Sequence, residues 1–326
     1  MSWRGLIPFV IVGVALAALP MFVDSRYVIG QVILALFYAI VASQWNLLFG
    51  FAGVFSLAQM ALFGFGGYVT AMLGFYFGLD VWLGMPLGAV ATVAFSLVLG
   101  LACLRVAGAY VALLTLAVTQ AIYLMVVTDT ECFRMVGTQC RQLTGGAVGF
   151  ARFGDLGTRA AFKADWMVAN YAIVVTLFLV TMLFTWAVVQ GPIGLAFRAL
   201  RDNPGCATAR GVNRFQMQLL VFAASAFFTG LAGGLYASHY QAIGPGVLSL
   251  STLLLIIAMA VVGGIGRVWG PFVGALLLTL ADEVMREFGA YRALGLGVII
   301  AAAIVLMPKG VLGLVEAAIA WRKSRA

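Results

Sequence analysis

Ten apolar runs alternate with polar breaks along the chain. They cover residues 6–23, 28–49, 54–77, 83–104, 109–127, 166–189, 215–237, 250–264, 268–280 and 294–306. None alternates with the two-residue period of a barrel strand. Most approach the length, about 20 residues, at which a helix crosses a hydrocarbon core. The pattern predicts an all-α polytopic membrane protein with about ten transmembrane helices in a single domain spanning residues 1–326. The last three runs are short, so a reentrant segment is an alternative reading of residues 244–270. The first run follows Arg4. An uncleaved helix is preferred there to a signal peptide, because Ala15-Leu16-Ala17 lies inside the run and no small-residue cleavage site follows its end.

Two polar interruptions stand out. Residues 128–165 hold Arg134, Arg141, Arg152, Arg159 and Lys163 against Asp129, Glu131, Asp155 and Asp165. Residues 190–214 read QGPIGLAFRALRDNPGCATARGVNR, where Arg198, Arg201, Arg210 and Arg214 are opposed only by Asp202. Within them, residues 192–200 and 204–210 each suit a short helix. The positive-inside rule places this loop in the cytoplasm. Ten spans then put both termini on the same side, with 315–326 as a cytoplasmic tail and 128–165 outside. On that count eleven of the 19 basic residues lie inside, with only Asp202 and Glu316 of the 11 acids.

Composition narrows the class. A chain that is 64% hydrophobic and 9% charged has too little polar surface to cover a water-soluble core. The net charge of +8 sits mostly at span ends, so it argues for a membrane surface rather than nucleic acid. There are 39 glycines and eight prolines, a balance that suits closely packed or broken helices. Cys132 and Cys140 fall outside, Cys206 inside and Cys103 at an inner helix end. A disulfide between the outer pair is preferred to two free thiols and is worth roughly 2–3 kcal/mol in the chain-entropy model.

Candidate chemistry is sparse. In NLLFGFAGVFSLAQMALFGFGGY (46–68), Asn46, Ser56 and Gln59 interrupt an apolar stretch. Two readings stay open: hydrogen bonds that support helix packing, which is favoured, or groups lining a translocation path. Gly50 and Gly53 suit a break, and Gly64, Gly66 and Gly67 a close approach. In residues 225–240, Ser225, Thr229, Gly230, Gly233, Gly234 and Ala237 form a second small-residue face, read as packing. His239 is the lone histidine, read as an interface residue. VVGGIGRVWGPFVGA (261–275) suggests a tight turn, with Arg267 available to phosphates or a partner. There is no metal-ligand constellation, no phosphate loop ending in Gly-Lys-Ser/Thr and no ionisable residue in mid-span. These features disfavour a membrane enzyme and a proton-coupled carrier, and assign no catalytic residue. Uphill transport would draw its energy from elsewhere.

The stretch at 46–68 resembles the hallmark segment of permeases of bacterial branched-chain amino-acid ABC importers. LTGGAVGF (143–150), AFRALRDNPGCATARGVNRFQMQLLVFAASAFFTGLAGGLYA (196–237), VVGGIGRVWGPFVGA and MPKGVLGL (307–314) extend the likeness over roughly residues 31–314, in an order similar to the M-type subunit. The resemblance implies the ABC importer permease fold with a cytoplasmic coupling helix, in a bacterial inner membrane. It implies a pore shared with an H-type permease, two cytoplasmic ATPase subunits that hold ATP and Mg, and a periplasmic solute-binding protein. This chain would then carry no cofactor. The coupling helix is expected near residues 203–211, with Arg201, Asn203, Ala207, Arg210 and Gly211 at the ATPase contact. The family's glutamate-alanine-alanine run is replaced here by residues 205–209, GCATA, without the acid. Branched-chain or other amino acids are the implied cargo; urea or short amides, or a self-sufficient secondary carrier, are the alternatives.

Overall fold

The computed structural model describes residues 5, 7–23, 25–103, 108–136, 139–307 and 309–314. Thirteen α-helices and four short strands lie among the described residues. The membrane-height helices are α1 (Ile7–Phe22), α2 (Arg26–Asn46), α3 (Gln59–Phe77), α4 (Val81–Cys103), α5 (Ala109–Val127), α7 (Trp166–Gln190), α10 (Arg214–Tyr240), α11 (Leu250–Gly263), α12 (Gly270–Arg286) and α13 (Arg292–Leu306). Three short helices lie between them: α6 (Thr158–Phe162), α8 (Pro192–Asp202) and α9 (Pro204–Ala209). Seven segments among the described residues are long and apolar enough to span a bilayer; α1 and α11, at 16 and 14 residues, are shorter.

At the centre, α10 packs along α3 and α4. The small-residue faces predicted for packing meet here. A Cβ added to Gly66 would strike the backbone of Gly230, and one added to Gly233 would strike the carbonyl of Phe63. Such close approach adds dispersion contacts where lipid offers no hydrophobic gain to helix pairing. Gly230 and Gly234 also face Thr92 and Thr70, and Gly64 and Gly67 lie against Leu248 and Ile243. Around this centre, α2 packs on α7 and α12, and α1 is tied to α7 by the Tyr171 hydroxyl donating to Leu16 O at 2.7 Å. The α11–α12 pair folds back as a hairpin, so residues 250–286 read as two helices rather than as one unbroken crossing.

The third apolar run does not begin its helix at 54, as expected. A π-helical turn, Leu47–Phe51, follows α2, and residues 52–58 are irregular before α3 starts at Gln59. The extra residue per turn is visible in Ala52 N donating to Leu47 O, and Gly53 then turns the chain with φ +71°. A buried break must satisfy its own backbone. Leu57 N donates to Thr115 Oγ1 at 2.9 Å, Leu57 O accepts from Thr119 Oγ1 at 3.1 Å, and Ala58 N donates to Ser56 Oγ at 3.3 Å. Side chains of α5 thus replace the missing helical bonds. The ninth run also differs: α12 continues past 280 to Arg286, because Asp282 pairs with Arg292 and Glu283 bonds Tyr27.

One end of the bundle is roofed by residues 128–165. The strands β1 (Arg134–Val136) and β2 (Gln139–Arg141) form an antiparallel hairpin, and β3 (Phe150–Ala151) pairs antiparallel with β4 (Ala242–Ile243) just past α10. Asp129 Oδ2 accepts from both Thr144 N and Thr144 Oγ1 at 2.6 Å, which fixes the Thr-Gly-Gly turn against the end of α5. His239 belongs to this roof. It is buried, and its Nδ1 lies 3.0 Å from Asn170 Nδ2, while Thr158 Oγ1 donates to Asn170 Oδ1 at 2.7 Å. The histidine therefore joins α10, α7 and α6 as a structural group. Cys132 is disulfide-bonded, whereas Cys103 and Cys206 are free; the side chain of Cys140 lies outside the described residues. So do Arg4, Arg105, Glu316, Arg322, Lys323 and Arg325, with the 315–326 tail.

Candidate functional site

The opposite end carries the arginine-rich loop. Gly191 ends α7, and Pro192 starts α8, where a missing N–H costs nothing. Arg198 turns back to the end of α7: its Nη2 donates to Val189 O at 2.8 Å and its Nε to Gly194 O at 3.2 Å. A cation at a helix C-terminus complements unpaired carbonyls. Gly194, Phe197 and Leu200 form the buried face of α8, at the three-residue spacing of one helical side. Asn203 then caps α9, accepting from Cys206 N at 3.0 Å.

The short helix α9 stands away from the bundle. Ala207 is buried at its base, while Pro204, Gly205, Cys206, Thr208 and Ala209 are exposed. Gly211 has φ +89°, which lets the chain reverse into α10, whose first turn Asn213 caps through Gln216 N. Arg210 is exposed beside that turn. The predicted helix at 192–200 thus appears as α8, two residues longer, and the one at 204–210 as α9.

Arg201 has a partner that sequence reasoning missed. Its Nη1 donates to Gly50 O at 2.5 Å, at the π-helical turn, and its Nε donates to Asp202 Oδ1 at 2.9 Å. Its side chain lies across Gly53, where a Cβ would meet Arg201 Cγ. Beside it is a cleft of about 140 Å³ between the 52–54 segment and Phe197, Pro204, Arg214 and Gln218. Arg201 is therefore a link between α8 and the end of α2 as well as an edge of the loop surface.

The link continues inward. Asn46 is buried; its Nδ2 donates to Arg267 O at 2.9 Å and its Oδ1 accepts from Gly266 N at 2.8 Å. Arg267 Nη1 donates to Lys309 O at 2.8 Å, so it braces the hairpin turn against the segment after α13. Asn46, Ser56 and Gln59 each meet different partners. Ser56 is buried in the break, where its carbonyl accepts from Trp45 Nε1 at 2.9 Å. Gln59 is buried with its Nε2 donating to Thr229 Oγ1 at 2.5 Å, while its Oε1 has no partner. Among the described residues no cluster of three or more metal-ligating side chains occurs.

The sequence that builds this geometry matches known proteins. The family model described as "Branched-chain amino acid transport system / permease component" matches residues 27–307. The chain belongs to this family. Among its relatives, the Escherichia coli (strain K12) high-affinity branched-chain amino acid transport system permease protein LivM is 26% identical, over 93% of this chain and 74% of its own length. The LivH permease of the same strain is 25% identical, over 85% of this chain and 91% of its own. The ribose import permease RbsC of Haemophilus influenzae is 27% identical over half of each chain. No solved structure matches. As a member of the permease family, the chain is a multi-pass membrane protein, in keeping with its seven candidate spans.

Proposed function

We propose that the chain is the M-type pore-forming permease subunit of a binding-protein-dependent ABC importer that carries branched-chain or related amino acids inward. Its partners are an H-type permease, two cytoplasmic ATPases holding ATP and Mg, and a periplasmic binding protein. The observation that carries this reading is α9, exposed at the end of a loop that Arg201 fastens to α2. A helix so placed can transmit force from a soluble subunit to a membrane helix. Arg201, Asn203, Ala207, Arg210 and Gly211 shape it; Arg210 and the small exposed residues of α9 contact the ATPase. The membrane is a bacterial inner membrane, with both termini in the cytoplasm. Gentle solubilisation of the chain from its own membrane tests the assembly. A second permease and two ATPases are expected to co-purify, and the reconstituted complex to concentrate an amino acid only with ATP and binding protein. Uphill uptake by the isolated chain without ATP would overturn the proposal in favour of a self-sufficient carrier.

A further inference from the structure

Toward the roofed end, α2, α11, α12 and the start of α13 enclose a cavity of about 470 Å³. Tyr38, Ser251, Thr252, Thr279, Asp282 and Arg292 supply its polar lining. Leu34, Leu255 and Leu296 supply an apolar side. This is the size and mixture found in sites for small molecules.

The polar groups are unusual for helices otherwise so apolar. Asp282 and Arg292 form a two-bond pair, Nε to Oδ1 at 2.7 Å and Nη2 to Oδ2 at 2.5 Å. Both line the cavity and keep side-chain exposures of 24% and 47%. Asp282 lies near the end of α12 and Arg292 opens α13, so the pair closes the turn between the two helices while lining the cavity. Thr279 Oγ1 is buried with no hydrogen-bond partner, an orphan that a bound polar group would satisfy. Ser251 and Thr252 stand opposite, both in reach of Ser249 Oγ, at 3.1 and 2.8 Å.

A second cavity of about 260 Å³ adjoins the first. Tyr38 and Thr252 line both, and the second is closed on its far side by Met60 and Phe63 of α3 and Tyr236 of α10. Tyr38 and Thr252 therefore face both cavities, and the second reaches Met60, the residue next to Gln59.

We infer that the larger cavity is a solute site for a zwitterionic aliphatic amino acid on its way through the protein. The inference rests on the importer reading and names the substrate class of its path. Asp282 accepts from the ammonium, Arg292 donates to the carboxylate, and Thr279 supplies a further hydroxyl. The leucines face the alkyl chain. The two protein charges already neutralise each other, so a ligand that is itself a dipole adds two favourable contacts without leaving a net charge. A lone amine or a lone carboxylate leaves one pole over-compensated, and a neutral amide can bond both groups but brings no charge to either.

The test uses the complex purified with its co-isolated subunits in nanodiscs, carrying Ser251→Cys in a Cys103→Ala/Cys206→Ala background. Ser251 is exposed at the cavity rim, so the introduced thiol is open to a small alkylating reagent. L-leucine is expected to slow alkylation, whereas isopentylamine and 4-methylpentanoate, which lack one pole each, protect poorly. Asp282→Asn or Arg292→Gln should weaken protection by about tenfold or more, the effect of losing one charge-assisted hydrogen bond. Thr279→Val, which leaves the ion pair intact, should weaken it less and keeps the idea testable if the charge variants fail to assemble. Equal protection by leucine and both analogues, or none by leucine, overturns the site. A complex that imports leucine yet shows no protection sinks this inference alone; one that imports no amino acid with ATP and binding protein sinks the importer reading.

Discussion

Asn46 shows how one buried amide can find the packing partners that its sequence context hides. In sequence it is a polar residue in an apolar tract, and nothing near it accounts for both its donor and its acceptor. Its partners, Gly266 N and Arg267 O, lie more than 200 positions away in the α11–α12 turn. Removing the side chain would strand two partly buried backbone groups, at a cost of about 1–3 kcal/mol. Asn46→Ala is therefore expected to lower the unfolding midpoint of the detergent-solubilised protein markedly. Asn46→Asp, which still accepts from Gly266 N but cannot donate to Arg267 O, should fall between. An unchanged midpoint combined with lost uptake would return Asn46 to the translocation path. Gln59 is different: its amide donates to Thr229 but its carbonyl oxygen has no partner, so a role toward a passing solute stays consistent with its surroundings.

At the scale of elements, the joint between α8 and α2 is the part with functional reach. Arg201 grips Gly50 O where the helix has already loosened into a π turn, a form that recurs at functional sites. On the coupling proposal, movement of α8 would act through Arg201 on the π turn that follows α2. Two substitutions should separate holding from docking. Arg201→Ala keeps α9 and is expected to let the ATPases co-purify while uptake per ATP hydrolysed falls several-fold. Arg210→Glu reverses an exposed charge and is expected to reduce ATPase recovery instead. Equal recovery and unchanged coupling in both would remove the loop from the mechanism. The helices themselves were legible from apolar run length, and α8 and α9 from Pro192, Pro204 and the glycines around them. A break after α2 was legible from Gly50 and Gly53, but its extension to residue 58 was not, because the backbone there is completed by Thr115 and Thr119 on another helix. Periodicity reports which face of a segment is buried; it carries no record of a hydroxyl arriving from α5. The Arg201 contact was hidden for the same reason: in sequence an arginine in a polar loop looks solvated.

Across the whole molecule, the two ends differ in construction, and that difference predicts an orientation. The end with Arg198, Arg201, Arg210, Arg214, Arg267 and Lys309 gathers cations around α8 and α9, opposed there among the described residues by Asp202. The roofed end mixes signs: Asp282 with Arg292, Glu283 and Arg286 with Tyr27, and Arg159 stacked 4.4 Å above the Trp166 ring. Basic residues are retained on the cytoplasmic side during insertion while acids contribute little, so the α9 end should face the cytoplasm. The cysteines allow a direct check without engineering. Cys206 is free and exposed on α9, Cys103 is free but buried, and Cys132 is disulfide-bonded. A membrane-impermeant maleimide should therefore modify Cys206 in inverted membrane vesicles stripped of the ATPase subunits and spare it in intact spheroplasts, with the site read by peptide mass. Labelling of Cys206 from outside would invert the topology. It would place α9 where no ATPase could reach it and the Asp282–Arg292 cavity at the inner mouth, so this one measurement bears on the coupling surface and the solute site together.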